Sequence, residues 1–303
     1  MDTDIETFNI TPDNIKTQLE KVDDPSEFTL ILPVHLMGYP CDMDKINKIA
    51  KKYGIYVFED SAQAHGTKYK GKKTGSLSLL SDFSFYVAHN IQAGELGAIT
   101  TNDYEIIRLI KKIKAHGRYC DCPTCTRNTI GCPPKVKKLQ KSMDDFDPRF
   151  THDMIGYNFK TMEFPAALAL VQLKRIDFII KKRQENVKYL NENLGKFSDV
   201  LQLPKISKNI SYLAYPILII KPEIISRKKI RLELEKNGIE NRILFGCIPT
   251  QQPSFAYLKN KYEGKLTNAE FIGSNAFYIG CHQYLTQEDL DFVVKAFNKI
   301  LGR

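Results

Sequence analysis

No apolar run in this chain is long enough to cross a bilayer; stretches such as Leu213 to Ile220 fall far short of the roughly 20 residues a spanning helix needs. Nor does the chain open with the charged, apolar and small-residue series of a secretory signal, so a cytoplasmic protein without a membrane span is expected. Zinc-finger, RRM and helix-turn-helix signatures are missing, as are internal repeats and low-complexity segments. The net charge of +9 therefore has no nucleic-acid motif beside it. Its lysines are dispersed, as at Lys51, Lys52, Lys68, Lys70, Lys72 and Lys73, which is the pattern of a solvated face. No nucleic-acid partner is expected, although a nucleotide-linked substrate would use the same basic surface.

What is present is an ordinary globular composition of 303 residues, 43% hydrophobic and 26% charged, enough for two domains and a substantial core. Phe28 to Val34 reads as a strand, followed by the turn Gly38-Tyr39-Pro40. Asp42 caps a helix with Met43, Ile46, Ile49 and Ala50 on one stripe, and Gly54 stops it. A second strand, Ile55 to Phe58, delivers Glu59 and Asp60 to its end, and a third, Asp82 to Tyr86, delivers His89. That strand–helix–strand order predicts an α/β protein with a parallel sheet. Ligands of such sheets gather at the carboxyl ends of strands, so Asp60 and His89 are expected to face one pocket.

Farther along, Asn102 and Asp103 open a helix through Ile106, Ile107, Leu109 and Ile110. A long helix is predicted from near Pro165 to Leu194, with Ala166, Leu170, Leu173, Ile176 and Ile180 as its buried stripe. The expected division is a large domain over 1–180, carrying a cysteine-rich insertion at 119–149, and a small α/β domain over 181–303. The latter contains a strand within Tyr212 to Ile220 and helices at Ser226 to Asn237 and Gln287 to Leu301.

Cys120, Cys122, Cys125 and Cys132 follow the spacing C-x-C-x₂-C-x₆-C. In a reducing compartment a disulfide knot is not expected, and four thiolates this close repel one another unless a metal neutralises them. Zinc sites usually pair two separated C-x₂-C knuckles, whereas crowded thiolates on one loop suit an iron–sulfur cluster. Spacing alone leaves iron–sulfur, zinc and free thiols open. Cys41, Cys247 and Cys281 are scattered and read as buried small hydrophobes.

Two segments, FEDSAQAHG from Phe58 and SFYVAHNIQAGELG from Ser84, resemble the sugar aminotransferases of the DegT/DnrJ/EryC1/StrS family. That resemblance implies an aspartate-aminotransferase-like, fold type I pyridoxal phosphate enzyme. In the family the second segment carries a lysine that forms a Schiff base with the cofactor; here the matching residue is His89. The exchange, together with the cysteine loop, is similar to one branch, the CDP-4-dehydro-6-deoxyglucose 3-dehydratases. For this branch the resemblance implies pyridoxamine 5'-phosphate in place of a lysine-bound cofactor, and a [2Fe–2S] cluster on Cys120, Cys122, Cys125 and Cys132. His89 would then be a general base, since imidazole titrates near neutrality. Asp60 would meet the pyridinium nitrogen, Gln63 the ring hydroxyl, and Ser84 the phosphate. Asn158 would reach the phosphate of the neighbouring subunit, which implies a homodimer.

Downstream, Ile239 to Gly246 with Gln251-Gln252-Pro253, and Ser274 to Gly280, are similar to the branch's substrate-proximal and closing segments; Arg242 is the candidate contact for substrate phosphate. Leu96 and Gln251 stand where relatives carry Gly and Arg. Full-length relatives have more sequence before the segment matching Asp2 to Ile10, including a phosphate-binding helix start. The implied function is 3-dehydration of a nucleotide-linked 4-keto-6-deoxy sugar for lipopolysaccharide, with two expected partners, an electron-donating reductase and a separate chain supplying the missing segment. The alternatives are a truncated, inactive or partner-dependent subunit and, against His89, a sugar aminotransferase. The cluster-free GDP-4-keto-6-deoxymannose 3-dehydratases share the histidine but not the cysteine loop.

Overall fold

The computed structural model describes residues 1–122, 124–140, 147, 149–244 and 251–302. They form two compact units, one built from Met1–Thr100 with Ala167–Arg303 and the other from Thr101–Ala166. Among the described residues no helix is long and apolar enough to cross a membrane.

The first unit opens with helix α1 (Pro12–Glu20), whose Thr11 cap accepts the N–H of Asn14. Strand β1 (Leu30–Ile31), helix α2 (Met43–Tyr53) and strand β2 (Tyr56–Asp60) follow. The α2 cap is as its sequence dictates. Asp42 Oδ1 accepts from Lys45 N, and Gly54, at φ 68°, turns the chain while its N–H satisfies the carbonyl of Ala50. Met43, Ile46 and Ala50 on its inner face pack with Ile15, Leu19, Ile31 and Val57. A small ribbon, β3 (Lys68–Tyr69) with β4 (Lys72–Lys73), leads to β5 (Leu80–Ser84) and β6 (Gly97–Thr101). The sheet order is β1-β2-β5-β6, with β1 parallel to β2 and β2 parallel to β5. The expected parallel sheet is therefore present, and β2 and β5 end at the same edge.

One buried carboxylate ties that edge together. Glu59, fully buried, accepts from Gly75 N at 2.9 Å, Leu77 N at 2.7 Å and Ser78 Oγ at 3.0 Å, and lies 3.1 Å from His35 Nε2. His35 Nδ1 accepts the N–H of Cys41, so the proton must sit on Nε2 and point at Glu59. Four donors thus converge on one carboxylate; burial raises its pKa, but the bonds from His35, Gly75 and Leu77 outweigh that and hold it below the usual value. Gly75 is at φ 85°, and a Cβ there would lie 2.2 Å from the Phe83 ring, so only glycine fits.

The second unit carries helix α3 (Tyr104–Ile113), capped by Asp103 as expected, and helix α4 (Pro134–Gln140). Helix α5 (Glu163–Leu173) begins here and ends beyond the unit's last residue.

Back in the first unit, α6 (Ile176–Leu194) is a separate helix. The predicted single helix from Pro165 to Leu194 is broken at Lys174–Arg175, and its stripe is misplaced. Leu170 and Leu173 are 60% and 51% exposed, while Ala169 and Ile179 are buried. Helix α5 is apolar on every face, so periodicity cannot choose its buried side. Strands β7 (Leu201–Gln202), β8 (Tyr215–Ile219), β9 (Asn241–Ile243) and β10 (Ala276–Ile279) form an antiparallel sheet of order β7-β8-β10-β9. Helices α7 (Arg227–Lys236), α8 (Lys259–Tyr262), α9 (Thr267–Asn275) and α10 (Gln287–Leu301) accompany it. All five residues of β8 are buried, and the main core joins them to Val187, Leu190, Leu194, Phe277 and Phe297. The segment Phe245 to Thr250, with Cys247, lies outside the described residues.

Candidate active site

Parallel pairing sets Asp60 of β2 opposite Asp82 of β5, on neighbouring strands. Asp60 Oδ1 accepts the N–H of Ala62 at 3.0 Å. Burial and the adjacent Asp60 carboxylate push the Asp82 carboxyl up to about 6. Beyond β5 the chain turns tightly, with His89 N donating to the carbonyl of Tyr86 and Ala93 N to that of Phe85. Asn90, 1% exposed, pins the turn by donating from Nδ2 to the carbonyl of Ser211 at 3.1 Å.

The His89 ring is half-buried, and burial lowers its pKa below the ordinary histidine value. The Ser84 backbone and the Asp60 carboxylate act in the opposite direction. The imidazole is therefore neutral near pH 7, the form that accepts a proton. Its Nδ1 is buried with no partner among the described residues. Gln63 Oε1 accepts the N–H of Met37 at 2.9 Å, a residue at φ 55°, which leaves the Gln63 amide nitrogen to donate elsewhere. Ser84 Oγ accepts from Tyr86 N at 3.3 Å and keeps its own proton to donate.

A cavity of about 630 Å³ opens beside this turn, lined in part by His89, Gln92, Arg183, Arg242, Tyr278 and Gln283. That volume suits a small organic ligand. Arg242, on β9, is exposed and pairs with Glu240 at 2.9 Å. The structure thus sets Asp60 and Ser84 around the His89 ring, and His89 and Arg242 in the wall of one cavity. Asp60, Gln63 and Ser84 do not line that cavity. Asn158 lies in the second unit, exposed and bridged to Ala115.

The four cysteines also lie in the second unit. Burial, the Cys120 side chain hydrogen-bonded beside it, and the charges of Asp121 and Cys132 push the Cys122 thiol up to about 11. Cys125 is exposed, and among the described residues no group of three or more His, Cys, Asp or Glu side chains is placed to hold a metal. Of the four, Cys120 and Cys132 lie against Cys122, whereas Cys125 points to solvent.

Two residues escaped the sequence reading. His65 is 4% exposed with neither ring nitrogen partnered among the described residues; it packs against Phe83 and Phe85, its centroid 6.3 Å from that of His89. Burial, with His89 adding, lowers its pKa to about 4. It stands inside the FEDSAQAHG motif, which was a signal for it. Arg183 is the other, and its signal was a charged residue in an apolar stripe of α6.

A model of the DegT/DnrJ/EryC1/StrS aminotransferase family matches residues 1–298. The chain belongs to that family. It is 32% identical over 304 residues to the lipopolysaccharide biosynthesis protein RfbH of Salmonella typhimurium, covering 100% of this chain and 68% of the relative. It is 30% identical over 306 residues to the dTDP-4-dehydro-2,6-dideoxy-D-glucose 3-dehydratase of Saccharopolyspora spinosa, covering 100% of this chain and 64% of that protein. The chain thus spans about two thirds of the length of these relatives. Among solved structures, the E. coli GDP-4-keto-6-deoxy-D-mannose-3-dehydratase with bound hydrated PLP has a TM-score of 0.77 at 28% identity, over 98% of this chain and 72% of that one. An aminotransferase from Psychrobacter cryohalolentis reaches 0.80 at 27% identity, over 99% and 74%.

The DegT/DnrJ/EryC1/StrS chain accordingly has the aspartate-aminotransferase-like fold type I, in a family of pyridoxal phosphate-dependent, nucleotide-sugar-modifying enzymes. The residues of its first unit fit such a cofactor. A strand-end carboxylate, an amide donor, a hydroxyl and an imidazole nitrogen unpartnered among the described residues are groups that a pyridinium ring, its hydroxyl and its phosphate require.

Proposed function

We propose that this chain serves the 3-dehydration of a nucleotide-linked 4-keto-6-deoxy sugar with pyridoxamine 5'-phosphate, in deoxysugar and lipopolysaccharide synthesis. The carrying observation is His89, an imidazole rather than an amine, in the cavity wall beside Asp60 and Ser84. When bound, the cofactor supplies the amine that condenses with the sugar's keto carbon and a ring that accepts electrons. Asp60 would hold the proton of the ring nitrogen, Gln63 would donate its free amide to the ring hydroxyl, and Ser84 would donate to the phosphate. His89 would remove a proton at the cofactor methylene carbon, and the hydroxyl at sugar carbon 3 would leave as water. An imidazole makes no lasting bond to the cofactor, so return to an amino sugar is disfavoured.

Arg242 would meet a substrate phosphate, and Asn158 would serve the neighbouring subunit of a homodimer. Residues 1–180 would form the cofactor-binding part and 181–303 a smaller part. Cysteine spacing favours a [2Fe–2S] cluster with an electron-donating reductase, but Cys125 would have to turn inward to join it. The two electrons that replace the sugar hydroxyl would come from the cofactor's methylene carbon, which would be released as an aldehyde, so the elimination itself draws none from such a cluster. Relatives named as 3-dehydratases support the reading, as does the RfbH likeness for its setting.

The test has two readouts. An absorption titration with pyridoxamine phosphate should saturate in the wild type and weaken in Asp60→Ala. With the cofactor, a CDP-, GDP- or dTDP-linked 4-keto-6-deoxyhexose should be released lighter by one oxygen atom, with pyridoxal phosphate and ammonia formed alongside, and His89→Asn should slow this by roughly 10²- to 10⁴-fold. A 4-amino sugar made from glutamate would overturn the reading in favour of transamination. Neither product would favour a partner-dependent or inactive chain.

A further inference from the structure

We propose that Arg183 anchors an oxyanion in the cavity beside His89. Arg183 lies on α6 in the stripe of Ile179, Val187, Leu190 and Leu194, where a core side chain would be expected, and it is only 6% exposed. Its Nη1 donates to the carbonyls of Tyr212 at 3.1 Å and Leu213 at 2.7 Å, both neutral acceptors. Its Nε has no partner among the described residues. The other group against the guanidinium is the buried Cys281 thiol, which burial keeps protonated. No Asp or Glu among the described residues pairs with it.

A guanidinium stays charged, and a buried charge without a counter-ion is costly. Holding two carbonyls explains Nη1 but not the absence of a compensating carboxylate. The missing negative charge has somewhere to come from, because Arg183, Leu213, Cys281 and Gln283 all line the cavity. The two acids in that wall are committed elsewhere: Glu240 pairs with Arg242, and Asp289 accepts from Thr286 in the cap of α10. A planar fork of donors at a cavity wall matches a carboxylate or phosphate. At about 630 Å³ the cavity exceeds a bare phosphate, so the ligand is an organic phosphate or organic carboxylate whose oxyanion faces Arg183. The inference shares the cavity with the proposed function but not the dehydration, and it is tested without turnover.

The experiment is calorimetric titration of the chain with inorganic pyrophosphate and, separately, with glutamate, against sodium chloride at matched ionic strength. Saturable binding of pyrophosphate alone assigns the site to phosphoryl oxygens, and of glutamate alone to carboxylates. Arg183→Gln should weaken that binding by about 10- to 100-fold, with Arg183→Lys between. Gln283→Glu leaves both Arg183 carbonyl bonds intact and sets a like charge in the wall; it should also weaken binding, and it decides the matter if Arg183→Gln does not fold. No saturable binding of either anion, or affinity unchanged in the folded variants, overturns the proposal.

Discussion

Replacing Glu59 by Gln tests how the strand edge that carries Asp60 is held. The carboxylate takes four donors, and the amide can match only part of that set. With its NH2 toward Ser78, whose hydroxyl turns to accept, the Leu77 N–H is left unpartnered. With it the other way, both His35 Nε2–H and Gly75 N–H are opposed, and His35 cannot switch tautomer because its Nδ1 already accepts from Cys41. The milder arrangement orphans one buried donor, at about 1–3 kcal/mol, and weakens the rest from charge-assisted to neutral, adding a comparable amount. The expected loss is about 2–5 kcal/mol, a fall in Tm of about 4–10 °C. The chain has no tryptophan, so thermal melts are followed by far-ultraviolet circular dichroism.

The pH dependence sharpens the test. Folding lowers the Glu59 pKa, so its stabilisation is fully present above the unfolded carboxylate value of about 4.3 and is lost as pH falls through the folded value. The deficit of Glu59→Gln should be full at pH 7 and shrink in acid. A variant melting within about 1 °C of wild type at pH 7, or a deficit that does not move with pH, would refute the reasoning.

Two further outcomes are expected. Asp82→Asn should raise the apo-protein's Tm at pH 7, because folding raises the Asp82 pKa to about 6 and its stabilising share is lost as pH rises from about 4 through 6; the gain should vanish near pH 4. Asn90→Leu should free the His89 turn from Ser211, detected as faster amide hydrogen exchange across 86–93, whereas unchanged protection would show that the bond at 3.1 Å does not restrain the turn.

Much of the site was legible because it is local. The Asp42 cap, the Gly54 stop and the delivery of Asp60 and His89 to strand ends follow from residues a few positions apart. What stayed hidden depends on distance along the chain. Glu59 is indistinguishable from any strand-end acid until residues 75–78 fold over it, and Asn90 means nothing without Ser211. Arg183 reads as a surface charge on a helix until the loop at 212–213 gives it two carbonyls. Helix α5 misled the periodicity for the opposite reason, being apolar throughout. Cysteine spacing implied convergence, yet spacing constrains only the reach of a loop, and Cys125 is exposed.

The first unit is made from both ends of the chain, and this affects its birth on the ribosome. Once His89 has been made, roughly 200 more residues must follow before the cavity wall at Val293 exists, about 10–40 s at ordinary elongation rates. For roughly the first 120 of those residues, about 6–24 s, the sheet of β1, β2, β5 and β6 waits without Ser211 to fasten the His89 turn or Asn209 to receive the N–H of Lys68. The residues of the second unit are translated meanwhile and can fold first. Nascent chains stalled before residue 209 should therefore be captured by chaperones that bind exposed apolar segments, and release should coincide with emergence of the 209–219 stretch.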